Sequence, residues 1–528
     1  MILLRKEKLI LLPFVIGLLL IFYSWYISYP LTINSPSDSL FDHISPLYWL
    51  GLPIVFATFY IMAILFEKNS LKWIATSGIV IFMYSMAYFY WFTPGVDSTF
   101  VKGLTEYFAE TGDLDPSITY HSYYQWPLFF VLSKMAYTLG LDLRCFEFIL
   151  FGLLGFLYAT SLCSIFHKFS KDGAYLAVIS YFILMVHYLN YQFAPFSLGI
   201  GLLFVLFMLD ARENKTWATV STILIIYTSM ALIHAFLPVF FIVYTFIKYI
   251  VSKDRTYVSL FLLALIMYFI VLMVQAVIFF HMAVEQLLSL HSTEYIRFAE
   301  TFTTQAMTPL EKLSQIIGST ILIVTALVAG SGFLILLLKR KLGHTNFSLF
   351  LSGAIYAIAS ALLPILGVRA FAIACIPLSL GVTYFTKTKF KMHFQCLFLI
   401  IITLFTFVPL RSSYSLTESQ IPFQTRDNYQ CTNFWIDYYQ PNERRLMGTD
   451  FRTAWYLVTK IRSPYVTFGS FSTFLTRDIN DYDCILYTIA LEKGFLRHNY
   501  TTESIFQEMN ELNIVYNSGS SYILVKKP

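Results

Sequence analysis

Asp97 is the first acid in a long polar stretch, Trp91 to Trp126, that follows three apolar runs. It sits five residues past the end of the third run. A carboxylate held that close to a bilayer is expensive and needs a partner, water or a task. The residues after it, STFVKGLTEYFAETG, put Phe100, Leu104 and Phe108 at helical spacing. A short surface helix would carry Asp97 near its N-terminus, where the helix dipole favours the ionised carboxylate. An ionised Asp within reach of a hydroxyl can act as a general base. It can equally cap the helix it begins, and the two roles are compatible.

Further polar groups follow in the same stretch and beyond it. Glu106 lies on the expected helix. His121, Tyr123, Tyr124 and Trp126 form a dense aromatic cluster. It reads either as an interfacial aromatic belt or as a wall that contacts a sugar or an acceptor. Asp113 and Asp115 form D-L-D within an ETGDLDP turn, where Asp is a turn former rather than a metal ligand. His234 stands at a nearly loopless junction, SMALIHAFLPVFF. Arg369 stands in an equally tight one, LPILGVRAFAI. With no acid close in sequence, Arg369 calls for an anion, and a lipid phosphate fits the paired donors of a guanidinium. The connection 281–312 carries His291, Glu294, Tyr295 and Arg297. Its length suits a mobile lid or binding loop.

These residues sit in a chain of 528 residues that is 57% hydrophobic and 13% charged. That charge content is about half of the ordinary soluble value of roughly 25%. Repeated apolar runs of span length define a polytopic membrane protein. We place about thirteen spans, at 9–29, 47–66, 73–92, 145–166, 174–190, 196–210, 217–233, 235–251, 257–280, 313–338, 347–366, 370–385 and 392–410. The segment 126–141 is apolar but short and interrupted by Lys134, so we read it as an amphipathic helix along the surface. With the N-terminus in the cytoplasm, eighteen Lys and Arg fall inside and six fall in the outer loops before the tail. The positive-inside rule supports that topology. It puts loop 93–144, loop 281–312, the turns at His234 and Arg369, and the tail outside.

The spans carry little charge, with Glu147 and Lys248 near their ends, which argues against a proton-driven pump. No basic run suggests nucleic acid. Residues 1–410 form the membrane domain and 411–528 a soluble tail. In the tail RRLMGTD, PYVTFG, CILYTIA, NIVYNSG and SYILVKK read as strands, with helical stretches near 452–461 and 501–511. The expectation is an all-α membrane domain with a small extracytoplasmic α/β domain. A Cys431–Cys484 disulfide is compatible with that compartment.

Taken together, GVDST followed by EYFAETG, then YYQWPLFFVLSKMAYTLGL, QFAPFSLGIGLLFVLFML, IHAFLPVF and GVRAFAIACIPLSLG resemble the GT-C superfamily of membrane glycosyltransferases. The match covers most of 70–385 as a pattern. The resemblance implies an inverting transfer from a polyprenyl-phosphate-linked sugar to an acceptor hydroxyl. Asp97 would be the catalytic carboxylate, and Arg369 with His234 would hold the donor phosphate. The aromatics and Glu106 would contact sugar or acceptor. Ser98 follows Asp97, so the Asp-Glu pair of the mannosyltransferases is absent. The second outer loop, NYQFAP, lacks the acid that metal-dependent members use, so no metal and no cofactor are expected. The partners would be the lipid-linked donor, membrane lipids and an acceptor that is a protein, a glycan or another lipid. The location would be the plasma membrane. The alternative is a non-enzymatic lipid-handling protein, a flippase or glycan-assembly partner, using the same cations and aromatics without chemistry.

Overall fold

The computed structural model describes residues 2–29, 44–66, 68–89, 96–114, 123–171, 173–185, 193–212, 216–276, 309–362, 367–388, 391–405, 426–439, 447–448, 456, 460, 484–487, 512–517 and 522–526. The apolar runs are helices, as lipid requires of a segment that must satisfy its own backbone. They are α1 (Ile2–Ser28), α2 (Pro46–Leu65), α3 (Asn69–Met83), α4 (Val96–Thr111), α5 (Leu128–Thr138), α6 (Leu143–Phe169), α7 (Ala174–Met185) and α8 (Pro195–Asp210). The series continues with α9 (Trp217–Ala231), α10 (Leu237–Ser252), α11 (Thr256–Gln275), α12 (Pro309–Leu338), α13 (Gly343–Leu362), α14 (Gly367–Ser379), α15 (Val382–Phe385) and α16 (Lys391–Leu404). Prolines 46, 195 and 238 occupy first turns of α2, α8 and α10, where no N–H is needed.

Among the described residues, the segments Pro46–Leu65, Leu143–Phe169, Thr256–Gln275 and Ile316–Leu338 are long and apolar enough to cross a membrane. Shorter apolar helices pack around them. The segment expected at 126–141 is the helix α5, whose 11 residues span about 16 Å, half of a hydrocarbon core. It buries Phe129, Phe130, Ser133 and Ala136 on one face and leaves Met135 and Tyr137 exposed.

Two expected spans are divided. In 73–92, α3 stops at Met83 and a 3-10 turn covers Ser85–Phe89. In 370–385, the helix tightens to i→i−3 bonds between α14 and α15, after Pro377 and where its backbone presses on α12. A Cβ on Gly381 would meet the Ala329 carbonyl oxygen at 1.9 Å, and one on Gly332 would meet the Gly381 oxygen at 2.1 Å. Only hydrogen fits on either side of that crossing. Residues Pro309–Lys312, expected as the end of the long loop, instead open α12.

Tyrosine hydroxyls tie the helices together. Tyr60 donates to the Gln395 carbonyl at 2.9 Å, Tyr181 to Ala372 at 2.9 Å and Tyr268 to Ala235 at 2.6 Å. Each hydroxyl donates to a backbone oxygen on another segment, which satisfies a polar group inside the bundle.

In the tail, α17 (Arg426–Tyr439) packs on a sheet of β1 (Met447–Gly448), β2 (Cys484–Tyr487), β3 (Leu512–Asn517) and β4 (Tyr522–Lys526). The strand order is β1-β2-β4-β3, with β1 parallel to β2 and the other pairs antiparallel. Cys431, Trp435 and Ile436 of the helix meet Cys484, Leu486 and Ile523 of the sheet in a core of their own. The strands expected in MGTD, CILYTIA, NIVYNSG and SYILVKK are present. The one expected in PYVTFG and the helix at 501–511 lie outside the described residues.

Candidate functional site

The helix α4 positions the candidate site. Its apolar face is fixed by burial of Phe100, Val101, Leu104 and Phe108. It stops at Thr111, where Gly112 takes φ +74° and returns its N–H to Phe108 O at 2.9 Å. A left-handed glycine is a common helix stop. The last-turn carbonyl of Ala109 accepts a hydrogen bond from the Lys134 ammonium of α5, the charge that a helix C-terminus favours. Asp97 is the second residue of α4, so its backbone stands in the first turn. Its side chain lies outside the described residues.

Through Lys102, α4 is pinned to the membrane helices by ions. Lys102 Nζ lies 3.3 Å from Glu147 Oε1 on α6, and Arg144 Nη1 donates to Glu147 Oε2 at 3.1 Å. The Lys102 contact has ion-pair distance without hydrogen-bond alignment. The Glu147 side chain is 0% exposed and those of Lys102 and Arg144 are 6% and 8% exposed. The Arg144 guanidinium also lies 4.5 Å from the Phe148 ring and 5.9 Å from the Tyr29 ring. Taking such ions out of water costs several kcal/mol each, about 3 or more, and requires close pairing.

One turn further on, the same face of α4 is pinned to the tail. Glu106 Oε2 accepts from the Tyr456 hydroxyl at 2.5 Å and from Lys460 Nζ at 3.2 Å. Lys460 also reaches Glu110 Oε1 at 2.5 Å. Glu106 and Glu110 are one helical turn apart, so both present to one ammonium. Burial pulls the Lys460 ammonium down, but Glu106 and Glu110 outweigh it and hold its pKa above the ordinary lysine value. Glu106, expected to touch sugar or acceptor, thus gives this oxygen to the tail.

The aromatic cluster is divided between packing and surface. Tyr124 is buried, donates to Leu104 O at 2.6 Å and meets Phe130 edge-on at 4.9 Å. Trp126 is buried as well. Tyr123 is half-buried, with its ring 5.2 Å from that of Phe100. Tyr124 and Trp126 therefore join α4 to α5, because a ring next to an apolar helix face gains more from burial than from water. His234 is buried in the α9–α10 junction, where its Nδ1 accepts from the Phe236 N–H at 3.1 Å. That bond leaves the proton of the neutral ring on Nε2. The Leu232 carbonyl beside it receives the Leu128 N–H at 3.2 Å, so α5 and the His234 junction share one end of the bundle. Arg369 is the third residue of α14, with its side chain outside the described residues. His121, His291, Glu294, Tyr295, Arg297 and Asp115 also lie outside them. Asp113 is exposed, and its N–H meets Thr111 Oγ1 at 3.2 Å.

A second buried charge cluster has no counterpart in the sequence reading. Asp210, the last residue of α8, accepts from the Tyr244 hydroxyl at 2.5 Å and from the Lys248 ammonium. Lys248 Nζ also meets the Tyr244 oxygen at 3.0 Å and the Tyr257 ring at 4.6 Å. Lys168, in the last turn of α6, bonds the Ala211 carbonyl. This cluster is therefore at the far end of α6 from Arg144. The available signal was an acid closing one apolar run and a lysine near the end of another.

Among the described residues, no three His, Cys, Asp or Glu side chains gather as metal ligands do. No family model matches the chain. No curated protein matches it in sequence.

Proposed function

We propose that the chain is a membrane glycosyltransferase of the GT-C kind, working on the extracytoplasmic face of the plasma membrane. It would move a sugar from a polyprenyl-phosphate donor to an acceptor hydroxyl. The observation that carries this reading is the double anchoring of α4, through Lys102 to Glu147 at one turn and through Glu106 to Tyr456 and Lys460 at the next. A helix fixed at two successive turns holds the residue at its start steady, as a general base requires.

In this reading the Asp97 carboxylate takes the proton of the acceptor hydroxyl while that oxygen bonds to the sugar's anomeric carbon. The bond from that carbon to the phosphate oxygen breaks, and its electron pair leaves with the polyprenyl phosphate. The leaving group departs as a stable anion, so no strong acid is needed. Arg369 and His234 serve the donor phosphate. Tyr123 and His121 serve the sugar or acceptor, and loop 281–312 closes over them.

The test is transfer from radiolabelled polyprenyl-phosphate sugars in membranes holding wild type or Asp97→Asn at equal protein levels, with and without a chelator. Asp97→Asn is expected to lower transfer by about 10²–10⁴-fold while donor binding persists. Transfer that survives the substitution moves the base elsewhere. Donor binding with no transfer by either protein favours the lipid-handling reading, which the Arg144 donors unused among the described residues also suit.

A further inference from the structure

At the start of α6, Lys102 and Arg144 both face Glu147. Arg144 spends Nη1 on Glu147 Oε2. Its Nε and Nη2 are buried and meet no acceptor among the described residues. Those two nitrogens form the side of the guanidinium that presents parallel N–H bonds to two oxygens of a carboxylate or phosphate. A buried cation whose paired donors remain unused is costly, and such groups are ordinarily satisfied. Asp142, at the N-cap of α6, is exposed and forms no ion pair among the described residues. Lys102 adds a second positive charge to the same spot.

What surrounds Arg144 narrows the ligand. Tyr29 and Phe148 lie against its guanidinium, so the site has apolar walls. Arg144 is the second residue of α6, a helix long and apolar enough to cross a membrane, so its guanidinium stands where a lipid headgroup meets the apolar layer. A ligand with an anionic head and an apolar tail matches both features. We infer that Arg144 is a binding residue for the phosphate of a membrane lipid, held by its Nε–Nη2 edge at the end of the bundle that carries α4. The inference rests on the lipid-phosphate part of the proposed function and not on sugar transfer. It places a phosphate contact on α6, away from Arg369.

The experiment uses the full chain in detergent and measures affinity for undecaprenyl phosphate, undecaprenol and inorganic phosphate. Wild type should bind undecaprenyl phosphate and neither of the others comparably. Arg144→Gln should weaken that binding by about tenfold or more, as loss of a charge-assisted contact does. Arg144→Lys, which keeps the charge and loses the paired donors, should also bind more weakly than wild type. Equal affinity in wild type and Arg144→Lys would overturn the assignment of the paired donors, and equal affinity in Arg144→Gln would overturn the site. Equal binding of undecaprenol would remove the phosphate. Inorganic phosphate binding as tightly as the lipid would make the ligand a free anion. Sugar transfer by wild type with unchanged lipid affinity in Arg144→Gln refutes this site alone. Lipid affinity that depends on Arg144, without transfer by wild type, sustains the site and refutes the enzyme.

Discussion

The two ends of α6 bury charge in different ways. At its start, Glu147 faces both Lys102 and Arg144, and half of the Arg144 fork is unused among the described residues. Beyond its end, Asp210 and Lys248 are matched one to one, and Tyr244 bonds to both. With 27 residues, α6 separates them by about 40 Å. The balanced cluster completes itself and locks α8 to α10. The unused Arg144 donors at the other end ask for something from outside the chain. Burial alone does not separate a lock from a site. The unused donors do.

Glu147→Gln should break the contrast most, because it leaves two buried cations facing a neutral amide. The expected loss is at the upper end of about 3–5 kcal/mol, read as thermal unfolding in detergent. Asp210→Asn should cost about 3 kcal/mol in the same assay, since Tyr244 and Tyr257 still surround the ammonium. Adding Lys248→Met should recover much of that loss, which an unrelated pair of substitutions would not do. Lys460→Met should cost about 1–3 kcal/mol and raise protease cleavage of the tail. Its Glu110 partner is 56% exposed and adds little. The smallest effect distinguishes the two clusters best. Without lipid, Arg144→Gln should shift stability by less than about 1 kcal/mol, since Lys102 still pairs with Glu147 and two buried donors without a hydrogen bond among the described residues are gone.

The tail contact has its own pH signature. Lys460 titrates above the ordinary lysine value in the folded chain. Its ion pairs therefore contribute fully below about pH 10.4, the unfolded value. They fade only as pH rises through the higher folded value. Tail cleavage governed by this lysine should stay level between pH 7 and pH 9 and rise only in strong base.

Much of the fold is legible because lipid leaves an apolar run few choices. The run 217–233 becomes Trp217–Ala231, and the short segment 126–141 becomes Leu128–Thr138. The end of α4 at Thr111 and Gly112 follows from glycine's freedom at positive φ. Pro377 is a local signal for the division of 370–385, but the close approach of Gly381 to Ala329 is not, since its partner stands on another helix. The same holds for the site. Sequence spacing brings Glu106 and Glu110 to one face, but not Lys460 to meet them. Asp210 looked like a residue at the end of a run because its partners, Tyr244 and Lys248, stand on α10. Tyr124 and Trp126 looked like a binding wall because aromatic residues serve packing and recognition equally well, and only burial separates the two.

The contact between Tyr456 and Glu106 joins residues 350 positions apart. At about 5–20 residues per second of synthesis, roughly 20–70 s separate their emergence from the ribosome. During that interval α4 can rest on α6 through Lys102, but its second anchor does not yet exist. The helix that begins with Asp97 is thus among the first parts of the protein to be made and among the last to be completed. A chain truncated before Tyr456 would keep every membrane helix named above and still leave α4 without the anchor at Glu106.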